Sequence, residues 1–341
     1  MAGPGLTRFA METELYKLVR LLADGRFHSG EELASVCGIT RAAIWKRMQR
    51  IDTDFQIGID RVPGRGYRLS RPLALLDKDQ IESGMGPSQA SALAALHLLP
   101  SVDSTNDYIA RQPAVGVGNG AACLAEQQTA GRGRRGRSWV SVFGENIYLS
   151  LGYTFNLPLT QLSGLSVAAG VSLAQALARH GLKHHSLKWP NDIHSSGRKL
   201  AGILVDASGD MEGPSRAVIG LGLNMRLDTR VAAAIDQPWT DLSSEMTALP
   251  DRNLLAGNIL SGLINACQVY ETRGLQPFLN GWRQFDNYQG LQIDLHLGRK
   301  IISGRYVGLA DDGGLILESA GSRKVFYAGE VSMRLQDDEY G

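Results

Sequence analysis

Net charge, cysteine and long apolar runs are all scarce in this chain. Its 341 residues carry a formal net charge of only +1, so the molecule as a whole offers no footprint for a polyanion, and any nucleic-acid surface must be local. The three cysteines, Cys37, Cys123 and Cys267, lie far apart and form no Cys-x-x-Cys pair. That argues against a disulfide framework or a structural zinc site and for a reducing compartment. No apolar run is expected to approach the length that spans a bilayer, and residues 1–15 have polar interruptions where a signal peptide needs an unbroken apolar stretch. The expectation is a cytoplasmic protein with no membrane partner. Residues 1–10 show no structural pattern, which leaves Met11 as an alternative start. There is no fixed-period repeat and no low-complexity segment. What remains is an ordinary globular composition, 43% hydrophobic and 20% charged, in a chain long enough for two or three domains.

The positive charge is gathered at the N-terminus. Residues 1–72 hold twelve Lys and Arg against eight Asp and Glu, an excess that suits a phosphate backbone. Leu15, Leu18, Val19, Leu21 and Leu22 fall at helical spacing, and Asp24-Gly25 ends that helix. Ser29 caps a second helix, with Glu32 at capping-box spacing. Gly38 turns the chain, and Thr40 caps a third helix over Arg41 to Ile51. Its apolar residues Ala43, Ile44, Met48 and Ile51 share one face, and Arg41, Lys46, Arg47 and Arg50 lie mostly off it. Two short strands, Ile57 to Val62 and Tyr67 to Leu69, flank the Pro63-Gly64-Arg65-Gly66 tip. The pattern is a winged helix-turn-helix.

A linker with one short helix is expected over 72–86. From there to about Phe285 strands alternate with helices. Ala121 to Glu126, Ile147 to Tyr153, Ser186 to Trp189, Leu200 to Val205 and Ala217 to Leu223 read as strands, and Leu162 to His180 and Leu254 to Arg273 as long amphipathic helices. Loops such as Trp189 to Lys199, with Ser195-Ser196-Gly197 at the tip, are too short for parallel crossovers. The spacing therefore predicts a mixed or antiparallel sheet with helices packed on it. Beyond Asp286, short strands around Asp312-Gly313-Gly314 suggest a small β-barrel. The fold class is α+β and multidomain, divided as 1–71, 72–86, 87–285 and 286–341.

The chemistry centres on Gly131-Arg132-Gly133-Arg134-Arg135-Gly136-Arg137, followed by Ser138 and Trp139. Glycines let backbone N–H groups turn toward an anion, and arginines add fixed charge and forked donors. The spacing fits neither a Walker A loop nor a Rossmann fingerprint, and by composition alone a solvated basic loop or an RNA-binding RG segment reads equally well. In Lys188-Trp189-Pro190-Asn191-Asp192 the proline stops a strand, so Asn191 and Asp192 emerge at its end; by itself Pro-Asn-Asp is simply a turn. Lys199 opens the next apolar strand, where Gly202 suggests close approach by a ligand or another backbone. Gly220-Leu221-Gly222-Leu223-Asn224 ends another strand in the same manner. Asp103-Ser104-Thr105-Asn106 could be no more than a helix cap.

In this order, with Gln128 ahead of the arginine loop and Gly329-Glu330-Val331-Ser332 near the C-terminus, these motifs resemble the bacterial biotin–protein ligases. The winged helix makes the chain similar to the bifunctional subclass, which also represses biotin synthesis genes with biotinyl-adenylate as corepressor. The N-terminal match is good at Phe27-His28-Ser29-Gly30-Glu31 and Arg41-Ala42-Ala43-Ile44; it departs at Trp45, Arg47 and Met48. The resemblance implies a biotin/lipoate ligase-like central domain and an SH3-like C-terminal barrel. It implies that biotin and ATP, with Mg²⁺, form biotinyl-5′-adenylate, from which biotin passes to a lysine of a biotin carboxyl carrier protein, as in acetyl-CoA carboxylase and related carboxylases. By position, Ser104, Thr105 and Gln128 would bond the ureido ring, and Arg132 would close over the biotin tail. Lys199 would sit at the carboxylate and α-phosphate, and Arg134, Arg135 and Arg137 would order around the phosphates. Asn191, Asp192 and Asn224 would serve the nucleotide or metal end, with Asp192 orienting the acceptor lysine or accepting its proton. Trp239 would lie at the adenine. Asn106, Gly131, Trp139, Lys188 and Gly202 complete the expected surface, and no residue is assigned as a metal ligand. Arg41, Ala42, Trp45, Lys46, Arg47 and Arg65 would face operator DNA, and ligand binding would favour a homodimer. Two other readings remain open: a non-catalytic, ligand-responsive transcription factor, and a lipoate ligase.

Overall fold

The computed structural model describes residues 14–210, 212–227, 234–328 and 331–335. The alternative start at Met11 and the Gly329-Glu330 part of the C-terminal motif lie outside them. Residues 14–22 are helical, and the chain then turns through Gly25 at φ +70°, a conformation that favours glycine. Helix Gly30–Cys37 is capped by Ser29, whose oxygen accepts from Glu32 N–H. The second half of the capping box does not form, because the Glu32 carboxylate turns to His28 instead, 3.2 Å away. Thr40 caps helix Arg41–Phe55, four residues longer than the apolar spacing suggested. Strands β1 (Ile59–Val62) and β2 (Gly66–Leu69) pair antiparallel as the wing.

Among the described residues the central sheet has seven strands: β3 (Leu93–Leu99), β4 (Gly120–Ala125), β5 (Ile147–Phe155), β6 (His185–Lys188), β7 (Asp192–Ser195), β8 (Arg198–Gly209) and β9 (Ser215–Leu223). Their order is β3-β4-β5-β9-β8-β7-β6. Among these described strands only the neighbours β3 and β4 pair parallel, with helix Thr105–Arg111 in the crossover between them, so the sheet is mixed. Trp189-Pro190-Asn191 makes a tight turn with a cis Trp189–Pro190 peptide. Asp192 therefore begins a strand of its own rather than trailing β6. Each half of the presumed single loop is a hairpin turn, and β7 is the strand hidden between them.

Helices Leu165–Arg179 and Arg252–Arg273 cover the sheet. The stretch Leu159–Arg179 is 21 residues with a mean hydropathy of 1.2, long and apolar enough to cross a membrane by those measures. That corrects the expectation that no run approaches spanning length. Here 72% of the most apolar 18 residues of the stretch are buried inside the protein, where a helix apolar on most sides belongs. The C-terminal strands β10 (Gln292–Leu297), β11 (Lys300–Leu309), β12 (Leu315–Ser319), β13 (Ser322–Phe326) and β14 (Val331–Leu335) form an antiparallel sheet ordered β13-β12-β11-β10-β14. Its apolar face, including Ile293, Leu295, Tyr306 and Leu315, joins the same core as the central sheet.

The winged-helix core contains Leu15, Leu18, Leu22, Leu33, Ile44, Met48 and Ile51, and it also takes in Phe143 from the chain between β4 and β5. Phe143 stacks on Phe55 at 4.4 Å and meets Tyr16 edge-on at 6.3 Å. Beside it Tyr16 OH donates to Glu126 Oε1 at 3.2 Å, and Arg252 pairs with Glu126 at 2.7 Å with both side chains almost fully buried.

Candidate functional site

The floor of the site is the strip where β8 and β9 run side by side with glycines in register. Gly202 faces Gly222. A Cβ on Gly202 would lie 3.0 Å from Trp139 Cζ3, and one on Gly222 only 2.4 Å from Trp139 Cε2. The two glycines leave the room that the indole takes over them. Trp139 Nε1 is buried and has no hydrogen-bond partner among the described residues. Gly131 N-terminal to the loop is buried, Arg134 is partly covered, and Arg132, Arg135 and Arg137 are exposed. Arg135 is held at φ +59°, a left-handed conformation rare for a side-chain-bearing residue.

Two side chains tie the first half of the loop down. Arg132 pairs with Asp107 on helix Thr105–Arg111. Arg134 donates to Asn191 Oδ1 at 3.3 Å and to the Ala328 carbonyl of the C-terminal domain, and burial pulls its guanidinium below the usual range. Lys199 stands at the entrance of β8, its Nζ 2.9 Å from Asp192 Oδ1 and 5.7 Å from the Trp139 ring. Lys199 N–H donates to Pro238 O and its carbonyl accepts from Thr240 N–H, which sets Trp239 alongside it. Asn224 Nδ2 donates to Thr240 O at 3.1 Å and so braces that segment. The Lys188 ammonium lies 5.9 Å from the Tyr288 ring. Behind this pair His194 is buried and its pKa is lowered to about 4, by burial first and then by the charges of Lys188 and Lys199. The imidazole is therefore neutral, and with the glycine carbonyl able only to accept, Nδ1 donates to Gly197 O at 3.2 Å.

A second polar group lies across β5. Ser104 is the N-cap, its oxygen accepting from Asp107 N–H. Gln128 Oε1 accepts from Thr105 N–H at 2.9 Å and lies 3.0 Å from Thr105 Oγ1. Asn106 is buried and reaches Asp206, close over Gly220. Sequence reasoning missed Asp107, Ala328 and Ser150. Only Ser150 left a signal, as a lone hydroxyl in the apolar run Leu149-Ser150-Leu151. The expected site residues thus gather as two neighbouring groups, one around Lys199, Asp192, Trp139 and Trp239, the other around Thr105, Asn106 and Gln128. The residues expected at DNA are elsewhere. Arg41, Ala42, Trp45 and Lys46 are exposed on helix Arg41–Phe55; Arg47 is turned toward Glu14 at 3.3 Å; and Arg65 lies over Phe27 at 4.2 Å.

A mixed sheet floored by glycines, a cationic loop and Lys199 paired with Asp192 are the marks of a protein ligase of the biotin and lipoate type. The model of the biotin/lipoate A/B protein ligase family matches residues 98–224, that of the biotin protein ligase C-terminal domain 290–334, and a helix-turn-helix domain 14–68. The chain is 40% identical over 318 residues to the bifunctional ligase/repressor BirA of Salmonella typhimurium, spanning 93% of this chain and 96% of that protein. It is 32% identical over 243 residues to the biotin–[acetyl-CoA-carboxylase] ligase of Mycobacterium tuberculosis, spanning 69% and 88%. Among solved structures, the Aquifex aeolicus biotin protein ligase in complex with biotin and ATP superposes with a TM-score of 0.60 at 27% identity, covering 71% of this chain and all of that one. The chain belongs to the bifunctional ligase/repressor family.

Proposed function

We propose that this protein joins biotin to ATP, retains biotinyl-5′-adenylate, and transfers biotin to a lysine of a carboxylase carrier domain, with the adenylate-loaded form repressing transcription. The observation that carries the reading is Lys199. A half-buried ammonium stands beside Asp192 and Trp139 at the edge of the glycine floor, where two anions would meet. The biotin carboxylate would attack the α-phosphate and pyrophosphate would leave. Lys199 would stabilise the charge developing between them, as preorganised donors do in a site that excludes water. Arg132 would close over the biotin tail, and Arg134, Arg135 and Arg137 would surround the phosphates. Trp239 would take the adenine, with Asn191 and Asn224 on that side. In the second step the acceptor amine would attack the acyl carbon and release AMP, its proton passing to Asp192 or the amine being oriented by it. No group of three or more metal-binding side chains occurs among the described residues. A magnesium ion that takes most of its ligands from phosphates and water needs only one or two carboxylates; Asp192 is the carboxylate at hand, with one oxygen on Lys199, while Asn191 Oδ1 already accepts from Arg134. The ion would supply charge neutralisation there.

The division into 1–71, 72–86, 87–285 and 286–341 is retained as the functional one: DNA reading, connection, catalysis, and support of the arginine loop. Exposure of Trp45 and Lys46 on one helix supports a DNA surface, with one winged helix per subunit of a ligand-favoured dimer reading a half-site. A cytoplasmic location agrees with the three free cysteines. The test is the mass of a carrier domain incubated with this protein, biotin, ATP and Mg²⁺. Addition of one biotin is expected, and an unchanged mass together with no release of pyrophosphate would refute the ligase. Sedimentation with and without biotin and ATP checks the dimer; an identical dimerisation constant would remove the coupling.

A further inference from the structure

Ser150 sits mid-strand in β5, fully buried, and nothing in the reaction above uses it. Its Oγ lies 2.7 Å from Thr105 Oγ1 and 2.6 Å from Asn106 Oδ1. A serine hydroxyl has one proton, so it can donate to only one of them. The surrounding network decides which. Asn106 Nδ2 donates to the Asp206 carboxylate at 2.9 Å and faces the Leu204 carbonyl at 3.4 Å. Both of those groups only accept, which fixes the amide with Oδ1 toward Ser150. A carbonyl oxygen cannot donate, so the Ser150 proton goes to Asn106.

The 2.7 Å contact is then a hydrogen bond only if Thr105 donates to Ser150. Two hydroxyl protons serve three oxygen–oxygen contacts, so one pair must go without: were the Thr105 proton on Gln128 Oε1, lone pairs would oppose each other at 2.7 Å, whereas with it on Ser150 the pair without a proton is the longer one, Thr105 Oγ1 and Gln128 Oε1 at 3.0 Å. Gln128 Oε1 already takes the Thr105 N–H, and that bond leaves Gln128 Nε2 on the side of Gly131, whose added Cβ would sit 3.0 Å from it. Thr105 Oγ1 is therefore left with acceptor capacity and Gln128 with an N–H. An acceptor and a donor on neighbouring side chains complement the N–H and C=O of a cyclic urea.

We infer that Ser150 and Asp206 are positioning residues for biotin. A one-way relay anchored on the Asp206 carboxylate runs through Asn106 and Ser150 and polarises the Thr105 hydroxyl into an acceptor for a ureido N–H. Chained hydrogen bonds strengthen one another in this way. Gly220 belongs to the relay passively: a Cβ there would lie 2.0 Å from Asn106 Oδ1. The inference rests on the reading that Thr105 and Gln128 receive the ureido ring.

The test is calorimetric titration of the full chain with biotin alone, for wild type, Ser150→Ala, Thr105→Ala, the double variant, and Asp206→Asn. The last changes an exposed carboxylate and keeps the test open if the buried change impairs folding. Ser150→Ala is expected to raise Kd about tenfold, the size of one polar contact at a buried site, and Asp206→Asn, which keeps an acceptor but removes the charge at an exposed position, by about threefold. They should leave kcat at saturating biotin and KM for ATP within about twofold, a split that a general loosening of the fold would not give. In the Thr105→Ala background, Ser150→Ala should add little. Wild-type affinity in both single variants, or a full Ser150→Ala effect without Thr105, overturns the relay. Absence of heat from the wild type overturns the functional reading itself, and the relay's ligand with it.

Discussion

Replacing Gly222 with alanine adds one methyl group at the point where the site has least room. The glycine does not need a positive φ, so the strand backbone accepts alanine without strain. The obstacle is the Trp139 indole, with Cε2, Cζ2 and Nε1 at 2.4, 2.6 and 2.8 Å from the new carbon. Ordinary carbon contacts begin near 3.5 Å, so the ring must retreat by about 1 Å or swing off the floor. The fold itself should lose only about 1–2 kcal/mol, because the ring sits on a loop that can give way. Biotin binding should lose more. An indole face covers on the order of 100 Å² of a ligand, which at about 25 cal/mol per Å² is roughly 2.5 kcal/mol, or about 70-fold in Kd. Gly202→Ala meets the same ring at 3.0 Å and should weaken binding by only about threefold to tenfold. Equilibrium titration with biotin measures both, and Trp139→Ala supplies the control, since the methyl on Gly222 should do nothing further without the ring. Equal losses at the two glycines, or wild-type affinity in Gly222→Ala, would refute Trp139 as the wall of the site.

Lys199→Met should slow biotin-dependent pyrophosphate release by about 10²–10³-fold, the usual effect of removing one preorganised donor; a rate within a few-fold of wild type would take Lys199 out of the mechanism. Arg252→Ala should cost about 3–5 kcal/mol in urea denaturation, because it strands the buried Glu126 carboxylate, and a loss under 1 kcal/mol would mean that water reaches Glu126. His194, lowered to about 4 in the folded protein against an ordinary value of 6.5, gives a pH-dependent term. Above pH 6.5 it is neutral in both states. As pH falls from 6.5 toward 4 only the unfolded chain takes up the proton, so stability declines by up to roughly 3 kcal/mol. His194→Gln should flatten the melting temperature in that window, and an unchanged slope would place the titration elsewhere.

Elements set by neighbours in sequence were legible. Ser29 and Thr40 cap the helices they precede, and the strands around Ile147, Leu200 and Ala217 lie where their apolar runs put them. Strand β7 was not, because Asp192-Ile193-His194-Ser195 has one apolar residue and gains its place from two flanking strands. Leu93–Leu99 was missed because its apolar residues do not alternate. In the site, glycines and arginines identified the loop, since few other arrangements call for them together. What those side chains reach for could not be read: Asp107, Ala328 and Ser150 are met only across the fold, up to 194 residues away for Arg134 and Ala328. Lys199 could be placed at the entrance of its strand, but not the Asp192 carboxylate that stands 2.9 Å from its ammonium.

Phe143 belongs by sequence to the catalytic half of the chain, yet it completes the hydrophobic interior of the DNA-reading half. Neither half ends where the other begins. A protein trimmed at residue 71 would carry a bare aromatic ring into solvent and leave Glu126 with Arg252 but without its tyrosine contact, on the same span of chain that leads to Gln128 and Trp139. In the intact protein the short span from Gln128 to Phe143 joins the ligand site to the interior of the winged helix, a lever short enough for either end to feel the other.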